Sequence, residues 1–232
     1  KSKKVGILSN ELKEIIVAFK EMPFTMKQLF PVMFFPWYAM FCYWQYLTSA
    51  LSLSLFDTLD QSSIFFNKAQ LLTGNINGTY NIICFSIAFL LLPFAKKFGP
   101  KTLHFFSLCL GGIGLISLPL LSDNSILFSI PISGGIMVPK IYLISIALGI
   151  TWASMMSMPY QILANSIPRN KTGIYMGIFN MFIVVPMIIQ IFSMQFFVYD
   201  LLSKNPISVI QLAGTFLIIG GIFSLRIKTS DK

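Results

Sequence analysis

The run from Trp152 to Pro186 decides the fold, because it holds two apolar segments joined by a short polar turn. It reads WASMMSMPYQILA (152–164), NSIPRNKT (165–172) and GIYMGIFNMFIVVP (173–186). A connection this short predicts two antiparallel helices. The charges of the turn, Arg169 and Lys171, are both basic, which predicts a cytoplasmic turn under the positive-inside rule.

The composition of the chain indicates a membrane protein. It is 55% hydrophobic and 11% charged, with a mean hydropathy of +0.75, whereas soluble domains carry about 25% charged residues. The net charge of +9 is therefore assigned to loops that set membrane orientation and not to nucleic-acid binding. Cys42, Cys84 and Cys109 lie in apolar segments without metal-ligand or disulfide spacing, so we interpret them as buried hydrophobes.

Six uncharged runs are each long enough for a helix that crosses a bilayer, which takes about 20 residues. They are 28–56, 69–95, 103–122, 141–168, 172–199 and 205–225. We therefore predict an all-α polytopic membrane protein with a six-helix transmembrane bundle over 28–225. An amphipathic cytoplasmic linker over 1–27 precedes the bundle, and a cytoplasmic tail over 226–232 follows it.

The connectors between these runs alternate in charge. Fourteen of the seventeen basic residues fall in 1–27, 96–102, 169–171 and 226–232. This asymmetry predicts that both termini of the segment are cytoplasmic in an integral, plasma (inner) membrane protein. The connector 123–140 is apolar and interrupted by Pro and Gly, which predicts a loop or short helix dipping into the outer interface.

Amides and aromatic rings are unevenly shared among the six runs. Every Trp and Tyr lies in runs one, two, four and five, whereas runs three and six are rich in Gly and aliphatic residues. Polar groups are costly in lipid, and small residues allow close helix packing. We expect runs one, two, four and five to line a wet cavity and the other two to be peripheral. That order is a 3+3 pattern, as expected if the six helices are two structural repeats within one half of a transporter.

The predicted substrate-binding residues are the lining groups near the midplane. They are Trp44, Gln45, Tyr80, Asn81 and Trp152, with Asn180 and Gln190 in the fifth run. Amides supply both donors and acceptors for hydroxyl groups, and a ring suits the apolar face of a sugar. Packing between helices is the alternative role for each residue. Pro159, Pro186 and Gly173 are predicted gating or kink positions, with a passive bend as the alternative.

The chain resembles the C-terminal half of a major facilitator superfamily transporter of the glycoside–pentoside–hexuronide:cation symporter type, in its sucrose-transporter-like branch. Three stretches carry the resemblance: WYAMFCYWQYLT (37–48), Tyr80-Asn81 followed by LLPFAKKFGPK (91–101), and PYQ (159–161) through GIYMGIFN (173–180) to Pro186. Lys97, Gly99 and Lys101 match the basic inner-loop motif of the superfamily, but Lys96 stands where an acid is usual.

This resemblance implies a secondary active sugar (disaccharide or glycoside):cation symporter that works by alternating access. An N-terminal six-helix half would complete the substrate-binding site and would supply most of the residues that bind the coupling ion, H+ or Na+. No other cofactor is implied. Because the predicted spans hold no carboxylate, we expect the chain to be a fragment or one half of a split protein. A six-span half-transporter that acts as a homodimer is the less favoured alternative.

Two other functions compete with transport. An oligomeric membrane channel is disfavoured because no selectivity-filter sequence or acidic ring occurs in the runs. A non-transporting membrane scaffold stays open. An enzyme is not expected, because the runs contain one His, His104, and no acidic pair, metal-ligand cluster or Ser/His/Asp set.

Overall fold

The protein is a helical bundle with one small β-hairpin. The computed structural model describes residues 17–123, 125–130 and 136–228. In chain order the elements are α1 (Phe24–Phe56), α2 (Ile64–Phe98), α3 (Pro100–Ile116), α4 (Leu118–Leu121), β1 (Ile126–Ile130), β2 (Ile136–Pro139), a 3₁₀ turn (Lys140–Tyr142), α5 (Leu143–Met155), α6 (Met158–Ala164), a second 3₁₀ turn (Arg169–Lys171), α7 (Thr172–Ser193), a π-helical turn (Met194–Val198), α8 (Tyr199–Leu201) and α9 (Pro206–Leu225).

Four helical stretches of the described chain are long and apolar enough to cross a membrane. They are Ile64–Phe98, Lys140–Ala164, Arg169–Leu201 and Pro206–Leu225. Each overlaps a predicted run, so an integral, mainly α-helical membrane protein is supported. α1 is long, with 33 residues, but its Trp, Tyr and Gln side chains lower its hydropathy. α3 is apolar but has only 17 residues, because the helix is interrupted at Ser117, ahead of Pro119.

Local sequence signals set several helix boundaries. The Ser63 hydroxyl accepts a hydrogen bond from the Phe65 N–H and caps α2, and Asn205 caps α9 through the Ile207 N–H, as short polar side chains do at helix starts. Gly99 separates α2 from α3 with a φ of 81°, a conformation that favours glycine. Pro23 precedes α1, which therefore begins at Phe24 and not at the predicted residue 28.

The connector 123–140 contains a β-hairpin made of the antiparallel strands β1 and β2, so the prediction of a loop or short helix was wrong. β1 and β2 pair antiparallel, with Phe128 opposite Val138. Apolar β-branched residues favour a strand, and Asp123 and Lys140 form an ion pair of 3.5 Å at the hairpin base. Hydrogen bonds from Ser125 lower the pKa of the Asp123 carboxyl.

Glycines bring the peripheral helices into close contact, as the sequence predicted. A Cβ on Gly112 of α3 would lie 2.6 Å from the Gly214 carbonyl oxygen of α9, and one on Gly220 of α9 would lie 2.6 Å from Pro36 of α1. α9 therefore packs against both α1 and α3. By contrast, a Cβ on Gly173 or Gly177 of α7 would meet nothing within 4 Å, so these glycines make no helix contact within the described chain.

The predicted cytoplasmic connectors meet at one end of the bundle. The Lys101 ammonium donates to the Ile227 carbonyl (3.2 Å), and the Gln28 amide donates to the Arg226 carbonyl (2.8 Å). Lys171 forms an ion pair of 2.8 Å with Glu21 of the linker, which raises the pKa of Lys171. The predicted linker and tail lie outside the described residues over 1–16 and 229–232.

Candidate functional site

Three tryptophans join α1 to α5 at the centre of the candidate site. The Trp152 ring meets Trp44 edge-on, with 5.5 Å between centroids, and meets Trp37 in the same way at 5.7 Å. Trp44 is 37% exposed, whereas Trp37 is buried. Among the described residues the Trp37 indole N–H has no hydrogen-bond partner, which is a cost unless water or another molecule accepts it.

A pair of amides joins α1 to α7 beside these rings. The Gln190 Nε2 donates to the Gln45 Oε1 (3.1 Å) and lies 3.6 Å from the Cys42 Sγ. Gln190 is fully buried, whereas Gln45 is exposed. Within the described residues the Gln45 oxygen accepts from Gln190, and no hydrogen bond from the Gln45 Nε2 is seen. Gln190 itself is placed to orient Gln45 and not to touch a solute.

Tyr80 and Asn81 are adjacent in α2 but differ in environment. Tyr80 is buried and meets the Tyr43 ring edge-on, with 6.3 Å between centroids. The Tyr43 hydroxyl donates to the Asn77 Oδ1 (2.7 Å). Asn81 is exposed, and its Nδ2 donates to the Asn77 carbonyl of its own helix (2.8 Å). The Tyr80 ring is thus part of the helix packing, while Asn81 lies on an open face.

Asn180 lies on an exposed face of α7. The glycines one and two turns before it, Gly177 and Gly173, have open space where a Cβ would point. The same holds for Gly74 and Gly78 on α2, a turn or two before Asn81. α2 and α7 therefore both carry amides on faces with small residues, but no described contact joins Asn81 or Asn180 to the tryptophan cluster.

The two predicted proline bends differ in the structure. Pro159 follows a break at Met156 and Ser157 that separates α5 from α6, and it occupies the first turn of α6, where its missing N–H costs no helical hydrogen bond. The Ser157 hydroxyl donates to the Ala153 carbonyl at 2.6 Å. Pro186 lies inside the uninterrupted helix α7.

His104 of α3 is fully enclosed between helices. Its Nδ1 lies 2.8 Å from the Ser154 Oγ of α5, and the nearby Thr151 hydroxyl donates to the Ser107 carbonyl at 2.6 Å. These two bonds join α3 to α5. With 1% of its surface exposed, His104 contributes to packing and does not line an open site.

A polar cleft at the α1–α2 turn, here called the turn cleft, was not predicted from the sequence. Its volume is ≈390 Å³, and its lining consists of Gln45, Thr48, Ser49, Gln61, Phe66 and Gln70. Only Gln45 had been singled out. The i, i+3 spacing of Gln45 and Thr48 was a usable signal, and the i, i+7 spacing of Trp37 and Trp44 would have added Trp37 to the ring cluster.

The described residues contain no group of three or more His, Cys, Asp or Glu side chains that could hold a metal ion. Comparison with protein-family models, with curated proteins and with solved structures gives no match for this chain. Its function must therefore be argued from the faces, clefts and contacts described above.

Proposed function

We propose that this chain is one six-helix half of a major-facilitator secondary transporter that moves a neutral sugar with a cation by alternating access. The observation that carries the proposal is the uncharged set of amides and rings on α1, α2, α5 and α7. Trp44, Gln45, Asn81 and Asn180 are exposed. Contact between polar side chains and lipid costs free energy, so we expect these side chains to face a wet cavity.

Part of the pattern of helix contacts agrees with a 3+3 inverted repeat, although the α1–α2 contact has no α5–α7 counterpart of similar extent. In such a repeat α1 corresponds to the α5–α6 span, α2 to α7 and α3 to α9. The contact between α1 and α9 then has its counterpart in the contact between α5 and α3, and the contact between α1 and α7 has its counterpart between α5 and α2. The contact between α3 and α9 joins two equivalent helices, so it is its own counterpart. Two related three-helix units that exchange contacts in this way are the usual construction of major-facilitator halves.

The open faces of α2 and α7 support an N-terminal six-helix half as the partner. Gly74, Gly78, Gly173 and Gly177 leave room for a neighbouring backbone, which is how membrane helices approach closely. On this proposal most of the residues that bind the coupling ion, H+ or Na+, belong to the partner half, because the spans of this chain carry amides instead of carboxylates.

Transport by the complete protein tests the proposal directly. The complete protein is placed in proteoliposomes or in inverted and right-side-out membrane vesicles, and an H+ or Na+ gradient is imposed across the membrane. Uptake of radiolabelled sucrose, maltose and a β-glucoside is then measured. Gln45→Ala and Asn180→Ala should each reduce uptake while the amount of protein in the membrane stays constant. Absence of uptake of every neutral sugar under both gradients would contradict the proposal.

A further inference from the structure

We infer that the turn cleft is a docking subsite for a neutral polyhydroxylated solute, separate from the tryptophan cluster and located at the end of the bundle opposite the basic connectors. The inference rests on the proposed function, because it names the face through which the transported sugar would arrive. It assigns ligand contacts to Thr48, Ser49, Gln61, Phe66 and Gln70.

The hydrogen-bonding capacity of the cleft suits hydroxyl groups. Gln190 engages the Gln45 oxygen, so Gln45 offers donors to the cleft. Thr48 donates its proton to the Thr73 hydroxyl at 3.1 Å, and its oxygen is left as an acceptor. Gln61 and Gln70 are exposed amides, each with a donor and an acceptor group. A sugar hydroxyl needs both kinds of partner.

The shape and charge of the cleft narrow the ligand class. Its ≈390 Å³ lies at the lower end of the range for small-molecule sites, about 300–1,000 Å³. The Phe66 ring gives a half-buried apolar surface beside the polar groups, on which the apolar face of a pyranose can stack. No lining residue is charged. An ionic ligand therefore finds no counter-ion in the lining itself. Asp57, Asp60 and Lys68 are close in sequence but are not lining residues, and Asp60 bonds to the Ser62 N–H (2.9 Å) and hydroxyl (2.7 Å).

The cleft extends from Gln45, which was predicted to lie near the midplane, to the α1–α2 turn, so it forms an entrance to the predicted midplane site. α1 and α2 have 33 and 35 residues, so each is about 50 Å long, whereas the hydrocarbon core is about 30 Å thick. Both helices must therefore extend into water at one or both ends. Gln61 lies in the turn between them, and Phe66 and Gln70 lie in the first two turns of α2.

Site-directed labelling tests the subsite in the complete protein. Gln70→Cys is introduced into a protein that also carries Cys84→Ser and Cys109→Ser. The rate at which the new cysteine reacts with a membrane-impermeant maleimide is measured in intact cells, in the presence of sucrose, maltose or glucose 6-phosphate. Lys68→Cys is the matched control, because Lys68 lies about 200° away around the same helix and is exposed. At a sugar concentration twice the dissociation constant, labelling of Gln70→Cys should slow about threefold, while Lys68→Cys is unaffected.

The outcomes separate this inference from the proposed function. Protection of Gln70→Cys by a neutral sugar, but not by the sugar phosphate, supports the subsite. If wild-type protein transports sugar but no sugar protects Gln70→Cys, the subsite is wrong and the function stands. If Gln70→Cys reacts only after permeabilisation, the cleft does not open outward and the inference fails. Absence of both protection and transport overturns both proposals.

Discussion

At the scale of single residues, the buried amide Gln190 and the exposed amide Gln45 have different roles although the sequence treats them alike. Both were predicted to bind substrate. The structure encloses Gln190 and bonds it to Gln45, so Gln190 would act by fixing the orientation of its partner. A sequence cannot distinguish these roles, since they depend on which faces of α1 and α7 meet.

Replacing Gln190 by Leu should therefore weaken sugar recognition without removing it. Losing one hydrogen bond costs about 0.5–1.5 kcal/mol, which corresponds to a rise of about two- to tenfold in the sugar concentration for half-maximal uptake. The maximal rate should stay near that of the wild type. Gln195→Leu, on an exposed position of the same structural segment, is the control. An unchanged half-saturation concentration for Gln190→Leu would contradict the positioning role.

At the scale of helices, glycines divide into two classes that composition alone does not separate. Gly112 and Gly214 lie at a contact between α3 and α9, whereas Gly173 and Gly177 face open space on α7. The Gly-rich character of the peripheral helices was predictable from their sequence. The open glycines of α7, Gly173 among them, meet no other helix within the described residues, which the sequence does not reveal.

Adding one methyl group at each kind of glycine tests this division. Gly112→Ala places a Cβ against the Gly214 carbonyl and should destabilise the protein by about 1–3 kcal/mol. In this chain purified without the proposed N-terminal half, Gly177→Ala enters open space and should be neutral, or stabilise the helix by up to about 1 kcal/mol. Thermal unfolding in detergent measures both. Equal loss of stability in the two variants would show that α7 is also tightly packed on that face.

The hairpin was the one element whose type was predicted wrongly. Short apolar runs do not reveal by periodicity whether they form strand, helix or loop. Pro131, Gly134 and Gly135 predict an interruption of any helix in this connector, and the described residues on either side of them form strands. What the pattern lacked was the pairing partner: β1 is a strand because β2 returns alongside it, with Ser129 opposite Met137.

At the scale of the whole molecule, the charge pattern was the most informative sequence signal. It grouped four separate connectors, and the structure brings residues of all four to one end through bonds such as Lys101 to Ile227 and Glu21 to Lys171. The helices with high hydropathy were equally predictable. α1 was harder to recognise as a membrane-spanning helix, because side chains such as Trp44 and Gln45 lower its mean hydropathy.

Labelling from the two sides of the membrane checks the orientation. With Cys84 and Cys109 replaced by Ser, Gln61→Cys should react with an impermeant maleimide added outside intact cells. Lys228→Cys should react only after permeabilisation, because Lys228 lies at the basic end, with its N–H 2.9 Å from the Gln28 Oε1. A reporter fused after Lys232 should likewise be cytoplasmic. Reaction of both cysteines from outside would overturn the topology.

The interruption at Met156 and Ser157 has a mechanical consequence for this span. The part before it is bonded to α2 through the Ser145 hydroxyl and the Ile76 carbonyl, and to α3 through Thr151. The part after it packs its Tyr160 ring on Phe179 of α7. Because the two turn residues stand between these attachments, we expect a bend at Met156 and Ser157 to change the tilt of α7 relative to α2.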